Sequence, residues 1–287
     1  MYYNKNTVIF LNGDYVKANE AKTDLYAQTM HYGSGVFEGI RSYNTNEGVK
    51  IFKSKEHYER LLDSAKKMHI DLKFSVEELT AFTYEVLKQN NLTDAYIRPL
   101  VYLGANMSLT PTAEVHVMIC AWEWGKYLGS KLLNLGLSSY QRPNPKSCHV
   151  EAKVTGHYIN SILATTEAKA NGYDEALLLD PNGFVAEGPG ANFFMQKDGK
   201  LFTAPLGNIL PGITRATVID LARKNGIEVV EKHFTVEEVY QADSAFYTGT
   251  AAEVVGINSL NDYKFPLNWD DSLGKILSEK YLNLVVE

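Results

Sequence analysis

The sequence is poor in the features that mark the simpler functional classes. It has only two cysteines, Cys120 and Cys148, in no Cys-x-x-Cys or metal-ligand spacing, so neither a zinc site nor a disulfide framework is indicated. Cys120 lies in an apolar run at 117–121, the usual setting of a buried, inert thiol. The seven histidines are scattered and none makes an i, i+4 pair, so no metal is expected. No apolar stretch approaches the roughly 20 residues that span a bilayer. The N-terminal MYYNKNTVIFLNG lacks the charged leader and apolar core of a signal peptide, and the expectation is a soluble, cytoplasmic protein. Positive charge is also short. The formal net charge is −6, and only six of the 28 basic residues are arginines, at 41, 60, 98, 142, 215 and 223. A chain with that balance has no basic stripe for nucleic acid or anionic membrane. The G-x-S-x-G elbow, the phosphate-loop GK[ST], the H-E-x-x-H helix and any repeat at periods of 20–50 residues are all missing.

What is present is an ordinary globular composition, 45% hydrophobic and 22% charged over 287 residues. At about 150 residues per domain that is enough for two domains. Asn12-Gly13 between apolar runs predicts a hairpin, and the loop of IRSYNTNEGVKIF predicts a second. SKEHYERLLDSAKKM carries Leu61, Leu62, Ala65 and Met68 at helical spacing, and the capping box Ser75–Glu78 opens another helix. YIRPLVYLGA and EVHVMICAWEW read as strands. The N-terminal part is thus a β-rich layer with two helices on one side. Beyond a break at 125–130, KLLNLGLSSY begins a second set of elements. These are a helix after Gly156, strands at ALLLD, GFVAE, NFFMQ and LFTA, and a helix from about Pro211 to Gly226. A strand at IEVVEKHF, a capping box at Thr235–Glu238, a strand at AFYTGT and a terminal helix complete the chain. The expected division is a small N-terminal α+β domain over 1–125, a connection over 126–135 and a large C-terminal domain over 136–287.

Four motifs carry chemistry. Lys153 is placed at a strand end just before a helix, where desolvation would free its amine as a nucleophile; the ordinary reading is one more solvated lysine. Tyr158 follows five residues later. Glu187 leaves a strand into Gly188-Pro189-Gly190, a turn that lets a flat group approach the backbone, or else is a plain loop carboxylate. Leu210-Pro-Gly-Ile-Thr-Arg215 opens a helix whose first N–H groups suit a phosphate, although Pro and Gly also start helices for no other reason. Thr248-Gly-Thr-Ala-Ala252 adds small residues and donors after a strand. Taken together they describe one ligand with an aldehyde for Lys153, a ring nitrogen for Glu187 and a phosphate for the helix start, which fits pyridoxal 5'-phosphate. The run HYGSGVFEG is one residue off the dinucleotide-binding spacing and lacks its strand–turn–helix setting.

The ordered series HYGSGVFEGIRSY, EAKVTGHY, EGPGANFF, ILPGITR and YTGTAAEV resembles the branched-chain amino-acid aminotransferases, members of the class IV (fold type IV) pyridoxal-phosphate enzymes. The resemblance implies an α+β, two-domain fold, with a smaller N-terminal α/β domain, a larger β-barrel-like C-terminal domain with helices, and the cofactor in the cleft. It implies that Lys153 carries the cofactor and shuttles the proton, that Glu187 pairs with the pyridine nitrogen and that Tyr158 sits by the ring hydroxyl. Arg60, Leu210, Ile213, Thr214 and Thr250 complete the cofactor set. For substrates, Tyr96 and Arg98 resemble the pair whose arginine accepts the side-chain carboxylate of glutamate. Thr250, Ala251 and Ala252 would bind the α-carboxylate. Phe37, Gly39 and Tyr127, with Tyr32, Met107 and Leu109 of a neighbouring subunit, would wall an apolar side-chain pocket. The implied reaction exchanges amino groups between branched-chain L-amino acids and 2-oxoglutarate. The implied partners are small amino and 2-oxo acids, with no nucleic acid or membrane, in a homodimer or higher homo-oligomer that shares active sites. The alternative readings within the same fold type are a D-amino-acid aminotransferase and an aminodeoxychorismate lyase.

Overall fold

The computed structural model describes residues 2–125, 128 and 131–287. The chain divides into two compact units, one made of Met1–Gly125, Ala152–His157 and Val286–Glu287, the other of Lys126–Glu151 and Tyr158–Val285. The six-residue stretch holding Lys153 therefore belongs with the first unit, away from its sequence neighbours.

The first unit runs β1 (Val8–Leu11), β2 (Asp14–Lys17), α1 (Gln28–Tyr32), β3 (Val36–Phe37), β4 (Ile40–Thr45), β5 (Gly48–Ile51), α2 (Ser54–Lys67), α3 (Val76–Gln89), β6 (Ala95–Leu103) and β7 (Val115–Trp122). Its sheet is ordered β2-β1-β7-β6-β4-β5, with β3 also on β6. The β1–β2 turn holds Asn12 and Gly13 at φ 56 and 112, the left-handed pair that a tight hairpin requires. Both halves of the α3 capping box form, Glu78 N donating to Ser75 Oγ and Ser75 N to Glu78 Oε2. Tyr58 and Leu61 of α2 and Leu79, Val86 and Leu87 of α3 are buried in a core with Ala95, Ile97, Val101 and Leu103 of β6 and Val117, Ile119 and Ala121 of β7. Each large side chain buried there is worth about 1.5–3 kcal/mol. Strand alternation does the rest: with the odd-numbered residues of β6 in that core, Tyr96 and Arg98 both stand on the opposite face.

The second unit runs β8 (Leu133–Gln141), α4 (Tyr158–Ala170), β9 (Glu175–Leu179), β10 (Val185–Glu187), β11 (Asn192–Lys197), β12 (Lys200–Thr203), α5 (Ile213–Lys224), β13 (Val229–Glu231), α6 (Val236–Val239), β14 (Ser244–Gly249), β15 (Glu253–Leu260), β16 (Tyr263–Lys264) and α7 (Leu273–Val286). Its sheet is ordered β10-β9-β8-β15-β14-β11-β12-β13, and β10 pairs with β11 as well as β9. Six strands therefore close on themselves and leave no edge among them. The closing pair is Glu187 with Asn192. Among the described residues no helix is long and apolar enough to cross a membrane.

Three sequence expectations need correction. Lys153 does not end a strand: Ala152 and Val154 are buried around it, and the only pairing there is an isolated bridge from Val154 to Val36. IEVVEKHF shortens to three strand residues. β15, unrecognised in the sequence, lies between β8 and β14 at the middle of the sheet. Its Gly256 interrupts the apolar pattern because a Cβ there would stand 2.6 Å from the Trp269 ring, and glycine inside a strand marks such close approaches.

Candidate active site

In the first unit two sequence motifs meet through their backbones. Gly156 N donates to Gly33 O at 2.9 Å, Thr155 N to Gly35 O at 2.8 Å and Phe37 N to Lys153 O at 3.0 Å. Gly33 is needed twice over: its φ is 67, and a Cβ on it would lie 2.7 Å from Gly156 Cα. The glycine run that falls short of a dinucleotide motif thus serves the close packing of two chain segments. Lys153 is further fixed from α2, whose Ser64 Oγ accepts its N–H at 3.1 Å.

The Lys153 ammonium lies 5.0 Å from the centre of the Phe37 ring, and the Arg98 guanidinium lies 4.6 Å from the same ring. Arg98 Nη2 donates to the Tyr96 hydroxyl at 3.1 Å, while its buried Nε has no hydrogen-bond partner. A buried guanidinium N–H left over is a donor waiting for an acceptor. Gly39 passes so close to Tyr96 that a Cβ would sit 2.0 Å from the hydroxyl oxygen. Cys120, opposite Arg98 on β7, donates weakly to the Arg98 carbonyl, and burial pushes its thiol up to about 11, the inert state expected of it.

Arg60 does not lie on an open helix face, as its sequence position suggests. It is 11% exposed and forms a two-pronged ion pair with Glu38, Nε to Oε1 at 2.6 Å and Nη2 to Oε2 at 2.9 Å. His57 Nδ1 stands 2.7 Å from the same Oε2. Glu38 is fully buried. Burial would raise its carboxyl, but the Arg60 guanidinium and His57 beside it hold it well below the usual carboxylate range. Burial lowers the His57 imidazole below its ordinary value against the opposing pull of Glu38, so near neutral pH it is a neutral ring donating Nδ1–H. Neither Glu38 nor His57 was singled out from the sequence; a carboxylate directly after Phe37 and a histidine one helical turn before Arg60 were the available signals.

In the second unit three motifs meet around Asn192. The side-chain amide of Asn192 donates to Glu187 Oε2 at 2.8 Å and to Leu210 O at 3.0 Å, and Leu210 N donates to Glu187 Oε1 at 3.1 Å. Asn192 is also the register partner of Thr248 on β14. Gly212 must lack a side chain, since a Cβ would be 1.9 Å from Asn192 Oδ1, and Gly249 lies against the Gly190 carbonyl. Glu187 is buried, with Arg142 Nε 3.0 Å from Oε1 in an ion pair off the line of a hydrogen bond. Gly212 gives α5 no side-chain cap, and Ile213 and Thr214 form its first turn. Thr248 Oγ1 is buried without a partner. Thr250, Ala251 and Ala252 form the half-buried turn after β14, and Tyr158 opens α4.

Of the remaining expected residues, Tyr32, Met107 and Leu109 are exposed by 47%, 51% and 88%, with the Tyr32 hydroxyl donating to Met107 O. Tyr127 lies outside the described residues.

The family model of amino-transferase class IV matches residues 35–260. The branched-chain-amino-acid aminotransferase of Pseudomonas aeruginosa is 42% identical, over 98% of this chain and 94% of its own. The crystal structure of the Escherichia coli branched-chain amino acid aminotransferase superposes with a TM-score of 0.94 at 38% identity, covering 98% and 95% of the two chains. That of the Thermobaculum terrenum enzyme in its PLP-form superposes at 0.92 with 33% identity, covering 99% and 95%.

Proposed function

Since the chain belongs to the class IV amino-transferases, we propose that it exchanges amino groups between branched-chain L-amino acids and 2-oxoglutarate, with pyridoxal 5'-phosphate as cofactor. The observation that carries this reading is the environment of Glu187. Glu187 is a buried carboxylate that accepts from the Asn192 amide and the Leu210 N–H with an arginine 3.0 Å away, the kind of group that can pair with a pyridine nitrogen. The uncapped first turn of α5 suits a phosphate, and Lys153 suits an aldehyde.

The cofactor, when bound, supplies a carbonyl that condenses with amines and a ring that spreads negative charge. The chain supplies position and proton movement. Lys153 Nζ would take up the Cα proton of the amino acid and hand it on to a different carbon rather than return it, the shift that separates an amino acid from its 2-oxo acid. Arg60, Leu210, Ile213, Thr214 and Thr250 hold the cofactor with Tyr158 and Glu187. Thr250, Ala251 and Ala252 receive the α-carboxylate. Phe37, Gly39 and Tyr96 wall the side-chain pocket, and Arg98, with an unused donor, receives the second carboxylate of the acidic substrate.

The exposure of Tyr32, Met107 and Leu109 supports their role as walls of a second subunit's pocket in a homodimer or larger homo-oligomer. The cofactor-loaded protein is expected to absorb visible light, with a band that L-leucine removes and 2-oxoglutarate restores. D-leucine leaves that band in place. Bleaching by D-leucine alone, or no band at all, would contradict the assignment.

A further inference from the structure

We propose that Glu38 is a positioning residue for Arg60, one that sets the direction in which the guanidinium meets the cofactor phosphate. The inference rests on the reading of Arg60 as a phosphate ligand. Its grounds are geometric. Both oxygens of Glu38 are committed: Oε1 takes Arg60 Nε, and Oε2 takes Arg60 Nη2, His57 Nδ1 and the Gly39 N–H. One whole edge of a planar, rigid fork is thereby docked, and the rest of the group can face only one way.

The anchor is itself held by backbone hydrogen bonds on both sides. Glu38 N donates to Pro99 O at 2.9 Å, and the preceding N–H, of Phe37, donates to Lys153 O at 3.0 Å. Two successive residues of one segment thus tie the guanidinium on α2 and the backbone of Lys153 to a common frame. A misplacement of about 1 Å between catalytic and binding groups can cost about a hundredfold in rate.

The plain alternative is that the buried pair holds the fold together. Buried ion pairs are poor stabilisers, because the desolvation of both charges offsets their attraction, and apolar residues of equal volume often do as well. A carboxylate sealed from solvent under an arginine that stays 11% exposed is better explained by where it puts the arginine.

The test separates phosphate from the rest of the ligand. Full-length apoprotein is titrated with pyridoxal 5'-phosphate and with pyridoxal, which lacks the phosphate, following tryptophan fluorescence. Arg60→Gln should weaken only the phosphate ester. Glu38→Gln should do the same by about tenfold, the lower range for loss of a group that orients a ligand-binding side chain. Glu38→Asp, which keeps the charge but draws it back, should fall between. The double variant Glu38→Gln/Arg60→Gln, which removes both charges of the buried pair, should bind no more weakly than Arg60→Gln alone. If Arg60→Gln leaves both ligands unaffected, the reading of Arg60 as phosphate ligand fails. If it weakens the ester but Glu38→Gln and Glu38→Asp do not, or if they weaken ester and pyridoxal equally, Glu38 is not a positioning residue. Should Glu38→Gln not fold, Glu38→Asp and the double variant decide the matter on the same criteria.

Discussion

Glu187 Oε1 and Arg142 Nε lie 3.0 Å apart with both side chains buried, at the point where the strands of the second unit close into a ring. Asn192, across that closing pair, reaches the other carboxylate oxygen and the Leu210 carbonyl. The ring closure and the placement of the Glu187 carboxylate are therefore one arrangement, and disturbing either disturbs the other.

Glu187→Gln replaces the anion by an amide of nearly the same shape that cannot hold a proton on a ring nitrogen. The turnover number for L-leucine should fall on the order of 100-fold, within the range of proton-transfer contributions. The same change leaves Arg142 buried without its counter-charge, so urea unfolding should show a loss of about 3 kcal/mol. Unchanged turnover would remove Glu187 from the assignment.

Arg98→Gln should act on one substrate and spare the other. Losing a charged donor to a carboxylate costs about 1.5–3 kcal/mol. The KM for 2-oxoglutarate should therefore rise roughly 10- to 100-fold, with the KM for L-leucine near the parent value. Equal losses for both would place Arg98 outside the acidic-substrate site.

Gly33→Ala tests the close packing that carries Lys153. A methyl 2.7 Å from Gly156 Cα, on a residue at φ 67, must push the two segments apart. A stability loss of about 1–3 kcal/mol is expected from the overpacking and strain. Turnover should fall as well, because Lys153 lies three residues before Gly156. Normal turnover with normal stability would show that the approach is not needed.

The Glu38–His57–Arg60 group makes stability depend on pH. The native pKa of His57 is depressed, so the unfolded chain binds its proton first, and stability should decline as pH falls below about 6.5. Glu38, also depressed, holds its contribution above about 4.5 and loses it further down. Arg60 and Lys153 also face His57 and oppose its protonation. Urea midpoints of the parent and of His57→Asn between pH 7.5 and 5 should converge on acidification. Parallel curves would mean that His57 does not titrate there.

Much of this was legible in the sequence because local chemistry dictated it. The Asn12-Gly13 hairpin, the Ser75 capping box and the helix start at Gly212 follow from turn and cap preferences that need no tertiary partner. What escaped depended on distant packing. β15 looks broken at Gly256 until Trp269 is seen against it, and α1, five residues long, is too short for a helical period to show, although Gly33 caps it in the left-handed conformation. Arg60 and Glu38 are 22 residues apart, and no local pattern reveals that they face one another under the helix.

The claim on which the rest depends is that Lys153 is the lysine joined to the cofactor. Borohydride reduction of the pyridoxal-phosphate-loaded protein, followed by peptide mass spectrometry, tests it most directly. The expected result is a phosphopyridoxyl mass on the peptide containing Lys153 and on no other of the 22 lysines. Lys153→Ala should carry no such mass. A modified lysine elsewhere, or undiminished labelling of Lys153→Ala, would contradict the account.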